Sequence, residues 1–368
     1  MKRLRIMFLF TAILFFGVHS ALAADYAVGT CEPKLHSFST ISEAVSTVPL
    51  GSTVEVCPGT YPEQVTISQP LTLEGITSAN SDKAIVTSPS GGLSVNGPGE
   101  SAVQILVTAG PVNITNIMVD GTGNDLNGSA FLAGIYYGNG SSGVVREVTT
   151  RYQLDSDEGV GIWVENTAGT GDSVTIENCS VHDFDYGGIV VGGNLTVSVK
   201  ANHVNANNAT KFVYGIYFEA AGSISANDIN GPGTIVDAEG IAVSAPSVTI
   251  SDNVVANWQF AIFDLEAASY TSNTVRNVED GIYLNVPGAT VESNTITQVA
   301  NVGIELNCNT ATVKNNTVDD AHTGIADVPT GLSPTDSYFS AGVISTSCAA
   351  SAALPKGTPT PRGLPKLE

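Results

Sequence analysis

The chain is predicted to be all-β: a single-stranded right-handed parallel β-helix, a solenoid of stacked coils, opened by a short N-terminal capping helix. Three observations predict it. A small residue followed by Ile recurs at Gly134-Ile135, Gly161-Ile162, Gly188-Ile189, Gly215-Ile216, Gly240-Ile241, Ala261-Ile262, Gly281-Ile282, Gly303-Ile304 and Gly324-Ile325, in steps of 27, 27, 27, 25, 21, 20, 22 and 21 residues. A second column runs beside it, Cys179, Asn202, Asn227, Asn253, Asn273, Asn294 and Asn316, each two residues before Val or Ile. Between these anchors the segments are short, alternate apolar with polar residues and are separated by turn formers. Helical repeats need longer apolar periodicity and propeller blades about 40 residues each, so a coil of short strands is what remains.

The chain opens on Lys2, Arg3 and Arg5, an apolar run from Ile6 to Val18 and the small-residue site Ala21-Leu22-Ala23, the pattern of a signal peptide over residues 1–23. Secretion or delivery to the periplasm is expected, with no membrane insertion after cleavage and a chain that acts as a monomer. Residues 24–348 then form the β-helix with its cap. Phe38, Ile41, Ala44, Val45 and Val48 have helical spacing, and Thr40 with Glu43 fits a capping box. At Val54-Glu55-Val56 the period switches to that of strands. After Gly331 the repeat fades, and residues 349–368, rich in Pro, Ala and Thr, read as a flexible tail.

Coils of 20 to 27 residues suit three strands and three turns. Stacking sets equivalent residues about 4.8 Å apart, so the Asn column can form an amide ladder that satisfies turn backbone groups inside the stack. Cys179, standing where other coils have Asn, reads as a buried thiol. Cys31 with Cys57 and Cys308 with Cys348 lie near the two ends, where disulfides would pin the terminal coils.

Loss of the three basic leader residues leaves 11 basic against 35 acidic residues, a formal charge of −24. That balance disfavours nucleic acid as a partner, and favours neutral glycans or calcium-bridged uronates over a naked polyanion. In the Gly-Ile strands Ile points inward, so the following residue points out. That column holds Tyr136, Trp163, Tyr217, Phe263 and Tyr283, a candidate stacking platform for the rings of a polysaccharide or glycan. Cover by a loop and plain strand propensity are the competing readings of the same rings.

Further out on the same strands Glu165 and Glu219 stand two coils apart, about 9.6 Å along the stack, near the upper end of the carboxylate separation of inverting glycosidases. Ser180, His203 and Asp228 follow the ladder in three successive coils, an order that suits a nucleophile, a base and an orienting acid. An ordinary set of solvated polar residues reads the same way. Asp155, Asp157, Glu158 and Asp185, with Asp183 and Asp237, gather before the Gly-Ile anchors, where they would form either a calcium site or solvated turns.

The passage from Phe38 to Val45, followed by Val54 to Glu63 with its Gly59-Thr60-Tyr61-Pro62-Glu63, resembles the opening of pectin-lyase-like β-helix proteins, pectin methylesterases among them. The resemblance implies the fold. It does not extend to the chemistry, because the Gln-Asp-Thr-Leu and Leu-Gly-Arg-Pro-Trp segments of methylesterases are missing, as are the Gly-His-Gly and Arg-Ile-Lys segments of polygalacturonases and the Asp-Pro-His-Glu of alginate epimerases. Arg146, Arg151, Lys200, Lys211, Arg276 and Lys314 match no lyase motif. The sequence therefore predicts an exported β-helix that binds or processes a polysaccharide. A non-catalytic surface or adhesion protein is the alternative, and a periplasmic accessory protein of a metal-assembly system a third, disfavoured by the scarcity of His and Met.

Overall fold

The structure, a computed structural model, describes residues 22–340 apart from 78–82, 125, 127–129, 139, 168–171, 208, 211, 234–236 and 267, together with 342, 344 and 348. The expected leader lies almost wholly, and the expected tail wholly, outside the described residues.

Among the described residues thirty-two strands join in one continuous sheet, and the pairings between coils are parallel. Each coil contributes three faces. One follows the ladder, as in Ser180–Phe184 and His203–Asn205. The second carries the Gly-Ile anchor, as in Phe131–Tyr137 and Gly159–Asn166. The third closes the coil, as in Val248–Ser251 and Ala268–Thr271. Some strands, such as Gly187–Lys200 and Val213–Ser225, bend from the second face into the third without a break.

The Ile anchors stack in direct register from Ile135 through Ile162, Ile189 and Ile216 to Ile262, and all are buried in the lumen. The residue before Ile must be small because it passes close to the neighbouring coil. A Cβ on Gly161 would meet the Val181 side chain at 2.4 Å, and one on Gly188 would meet Val204 at 2.6 Å.

The Asn column is a ladder. Asn253 donates through Nδ2 to Ile224 O at 2.9 Å and to Asn273 Oδ1 at 3.0 Å, while its own Oδ1 accepts from the backbone and side-chain amides of Asn227. Asn202, Asn227, Asn273 and Asn294 repeat the pattern, Cys179 joins through its backbone N–H, and Asn316 ends it on Ser337 Oγ. The residue before each rung has positive φ, 54° at Ala201, 55° at Ala226 and 58° at Ser272. Non-glycine residues adopt that conformation at a cost of about 1–2 kcal/mol each, which the doubly bonded Asn offsets. Cys179 is a buried thiol, as expected, its pKa pushed up to about 12 mainly by burial.

A short helix, Ile41–Thr47, packs Ile41, Ala44 and Val45 into the first coils beside strand Val65–Ile67. Thr40 Oγ1 accepts from the Glu43 N–H, as the capping-box spacing suggests. The acid that completes the cap comes from elsewhere: Glu63 accepts from the backbone amides of Ile41 and Ser42, both at 2.9 Å, and from the Ser42 hydroxyl. Tyr61 donates to Cys57 O at 2.8 Å. The Tyr61 and Glu63 of the methylesterase-like segment therefore serve the architecture of the first coils.

Cys31 and Cys57 form the expected disulfide, with Cα atoms 5.7 Å apart. Cys308 and Cys348 do not, which corrects the second pairing. The Cys348 thiol instead donates to Val328 O at 3.3 Å, and its proximity raises the Cys308 thiol to about 11.

Among the described residues one acid, Asp264, stands in the lumen. Asp264 stands between Val243 and Leu284 in register, fully buried near the Tyr270 hydroxyl, and burial raises its pKa to about 7. It fits the lumen as a neutral acid.

Two measurements follow. Asn253→Ala strips a rung and leaves buried amide and carbonyl groups unpaired, so urea denaturation should report a loss of about 3 kcal/mol, against little change for the exposed Asn194→Ala. For Asp264 the unfolded chain ionises near pH 4 and the folded one near 7, so its contribution to stability is full below about 4 and declines as pH rises to about 7. In Asp264→Asn that part of the slope should vanish from melting curves taken across the interval.

Candidate functional site

The column after the Ile anchors points away from the lumen, as alternation requires. Tyr136, Trp163, Val190, Tyr217 and Ala242 stand in direct register, and Phe263, Tyr283 and Glu305 continue the row. The expected exposed platform is nevertheless absent. Tyr136, Trp163 and Phe263 are fully buried, and Tyr217 and Tyr283 are 2% and 1% exposed.

The cause is a second apolar layer outside the coil. Phe131, Tyr186 and Tyr214, which open or precede the same strands, fold over the column. The Phe131 ring lies 5.6 Å from Trp163, and Tyr214 lies 4.9 Å from Tyr217. Phe263 and Tyr283 stack on one another at 5.0 Å in a smaller cluster. Burying rings of this size stabilises the fold far more than a wet surface row could. These five residues offer no open face to a sugar.

At the edge of that layer lies a pair of carboxylates. Glu165, Gly192 and Glu219 occupy one register position in three successive coils. Gly192 carries no side chain, so the two acids flank a gap about 9.6 Å long. Glu165 is 4% exposed, and burial, then the charge of Glu219, raise it to about 7. The Trp163 indole N–H and Tyr136 hydroxyl sit beside it and oppose part of that shift, yet neither reaches full hydrogen-bond geometry. Glu219 is exposed, accepts from Tyr217 Oη at 3.2 Å, and borders a shallow recess of about 450 Å³ with Asn194, Thr196 and Ser244. One carboxyl is thus held near neutrality and the other open to solvent. Gly192 escaped the sequence reading, although the Gly-Ile register places it between the two acids.

Ser180, His203 and Asp228 also share one row, on the face after the ladder. His203 Nδ1 lies 3.2 Å from Asp228 Oδ2, with both side chains more than half exposed. Among the described residues no hydrogen bond joins Ser180 to His203, so the row brings the three together without linking nucleophile to base.

The calcium expectation fails in a different way. The Asp185 carboxylate accepts from the backbone amides of Asp155 at 2.9 Å, Asp157 at 3.2 Å and Gly159 at 2.7 Å, and Asp155 accepts from Leu126 N–H. The Asp155 and Asp185 carboxylates thus cap backbone amides of the neighbouring turns. Asp155, Asp157, Glu158 and Asp185 do not form a ligand set, and no cluster of three His, Cys, Asp or Glu able to hold a metal occurs among the described residues. No helix there is long and apolar enough to cross a membrane.

Comparison with known proteins agrees on the fold. The family model of the right-handed β-helix region matches residues 207–332. The Dettilon tailspike protein superposes with a TM-score of 0.55 at 14% identity over 82% of this chain and 64% of its own. The GH136 lacto-N-biosidase of Eubacterium ramulus superposes with a TM-score of 0.55 at 11% identity over 86% of this chain and 68% of its own. A pectin methylesterase of Erwinia chrysanthemi gives 0.45 at 11% identity over 66% of this chain and 81% of its own. The chain thus spans under two thirds of the tailspike's length. A search among curated proteins by sequence finds no match. The fold is the right-handed parallel β-helix.

Burial of the aromatic column makes it part of the fold's stability. Trp163→Ala should destabilise the protein by about 3–5 kcal/mol, read as a lowered denaturation midpoint. A platform residue free in solvent would leave that midpoint nearly unmoved.

Proposed function

We propose that this protein is an exported carbohydrate-active β-helix that hydrolyses a glycosidic bond between Glu165 and Glu219. The observation that carries the reading is the register of the two acids across Gly192, one carboxyl held near neutrality and the other open to solvent. Glu165 would give its proton to the leaving glycosidic oxygen. Glu219 would take a proton from the water that attacks the anomeric carbon from the opposite side, and the product would have inverted configuration. The fold shared with a tailspike and a lacto-N-biosidase supports a carbohydrate partner in general, and the leader-like start supports secretion or periplasmic delivery. We read Ile41–Thr47 as the cap that closes the first coil. A non-catalytic surface or adhesion role is the second reading, favoured by the near-complete burial of Glu165.

A panel of soluble glycans assayed for new reducing ends separates the two. Glu165→Gln and Glu219→Gln should each lower turnover by about 10²–10⁴-fold, and the wild-type rate should fall as pH rises through about 7, where Glu165 loses its proton. Turnover unaffected by both substitutions, or no turnover across the panel, returns the protein to the adhesion reading.

A further inference from the structure

The third face carries a regularity that neither the aromatic layer nor the carboxylate pair uses. Its outward position reads Ser198, Ser223, Thr249, Ser269, Thr290 and Thr312 in six successive coils, each in direct register with the next. Thr175 extends the row by one coil, and beyond Val144 and Asn113 it resumes at Thr72. Two residues further along the strands Ser225, Ser251 and Thr271 form a second hydroxyl row beside the first. The side chains of both rows are half-buried or exposed.

The charge of this face also departs from the rest of the molecule. Between Asn113 and Lys314 its outward positions hold three basic residues, Arg146, Lys200 and Lys314, and two acids, Glu177 and Glu292. Arg146 is paired with Glu177 at 2.6 Å and Lys314 with Glu292 at 3.1 Å. The chain as a whole has 35 acidic residues against 14 basic, so this strip is close to neutral on a strongly acidic protein. At its N-terminal end Thr72, Asn113 and Thr115, with Glu74, Glu147 and Arg146, line a recess of about 370 Å³.

We infer that this face is a second binding surface, for an extended neutral polysaccharide lying along the stack. Hydroxyls at a fixed spacing of about 4.8 Å offer both donors and acceptors, which suits a polymer of hydroxyl groups. The strip has no excess of charge to recruit a polyion and no apolar patch to recruit a second protein. One hydroxyl contact is weak against water. A rigid row of them gains affinity by repetition, because the strands fix the donors before the ligand arrives and each further sugar binds as an intramolecular event. Short oligosaccharides should therefore bind poorly and long chains well. The surface lies on a different face from Glu165 and Glu219 and does not depend on their chemistry.

Co-sedimentation with microcrystalline cellulose, chitin and insoluble β-1,3-glucan tests the assignment. The wild-type protein and Glu165→Gln should be retained alike by at least one polymer. Thr249→Ala/Ser269→Ala/Thr290→Ala should weaken that retention at least tenfold, with its melting temperature and any turnover of soluble oligosaccharides unchanged. A second variant, Ser223→Lys/Thr249→Lys, should block the row by bulk and give the same loss. Retention by none of the three polymers, or retention that both variants keep, overturns the inference. So does partition into growing ice without polysaccharide retention, which would assign the hydroxyl rows to ordered water.

Discussion

The fold depends on one recurring turn. Between the third face and the first, each coil reverses through a residue of positive φ followed by a buried side chain that must serve the turn above it. From Asn202 onward that side chain is an amide, because only an amide can donate to a carbonyl of the preceding coil's turn, donate to the next rung and accept from the previous one. Earlier coils place Ile117 and Val148 at the same position, buried and unable to do any of this. Cys179 is the junction, its backbone tied to the ladder while its thiol lies among apolar neighbours. From Asn253 onward the coils are also shorter.

A stack built this way has two kinds of interior. The lumen is filled by the Ile anchors and their companions, with Asp264 and Tyr270 as a polar pair within it. The second interior lies outside the coil, where Phe131, Tyr186 and Tyr214 close over the aromatic column. Glu165 owes its near-neutral pKa to its position at the rim of that layer. The candidate chemistry and the displaced platform thus have a single cause: a side chain on the rim is dry on one side and wet on the other, and an acid there is easily held protonated.

Much of the fold was legible in the sequence because a solenoid repeats its constraints. Gly before Ile and Asn before Val return each time the chain passes the same place, and period alone finds them. The direction of Tyr136, Trp163 and Tyr217 was legible too. Their burial was not, since alternation tells which side of a sheet a residue takes and nothing about what lies over it. Phe131 and Tyr186 sit off the repeat and carry no period. The same limit hid Glu63, which caps amides 21 and 22 residues earlier, while Thr40, whose partner is local, was found. Cys308 and Cys348 were paired on position along the chain, a weaker guide than the geometry that joins Cys31 to Cys57.

The regular spacing of the later rungs has a consequence for how such a chain can change in length. From Asn253 to Asn316 each coil takes 20 to 22 residues, and each rung touches only the rung before and after it. A whole coil inserted or removed there preserves the ladder, the Ile stack and the hydroxyl rows together, whereas a few residues gained inside a strand would break all three. Growth of this molecule is quantised, and the carboxylate pair near the middle is insulated from it.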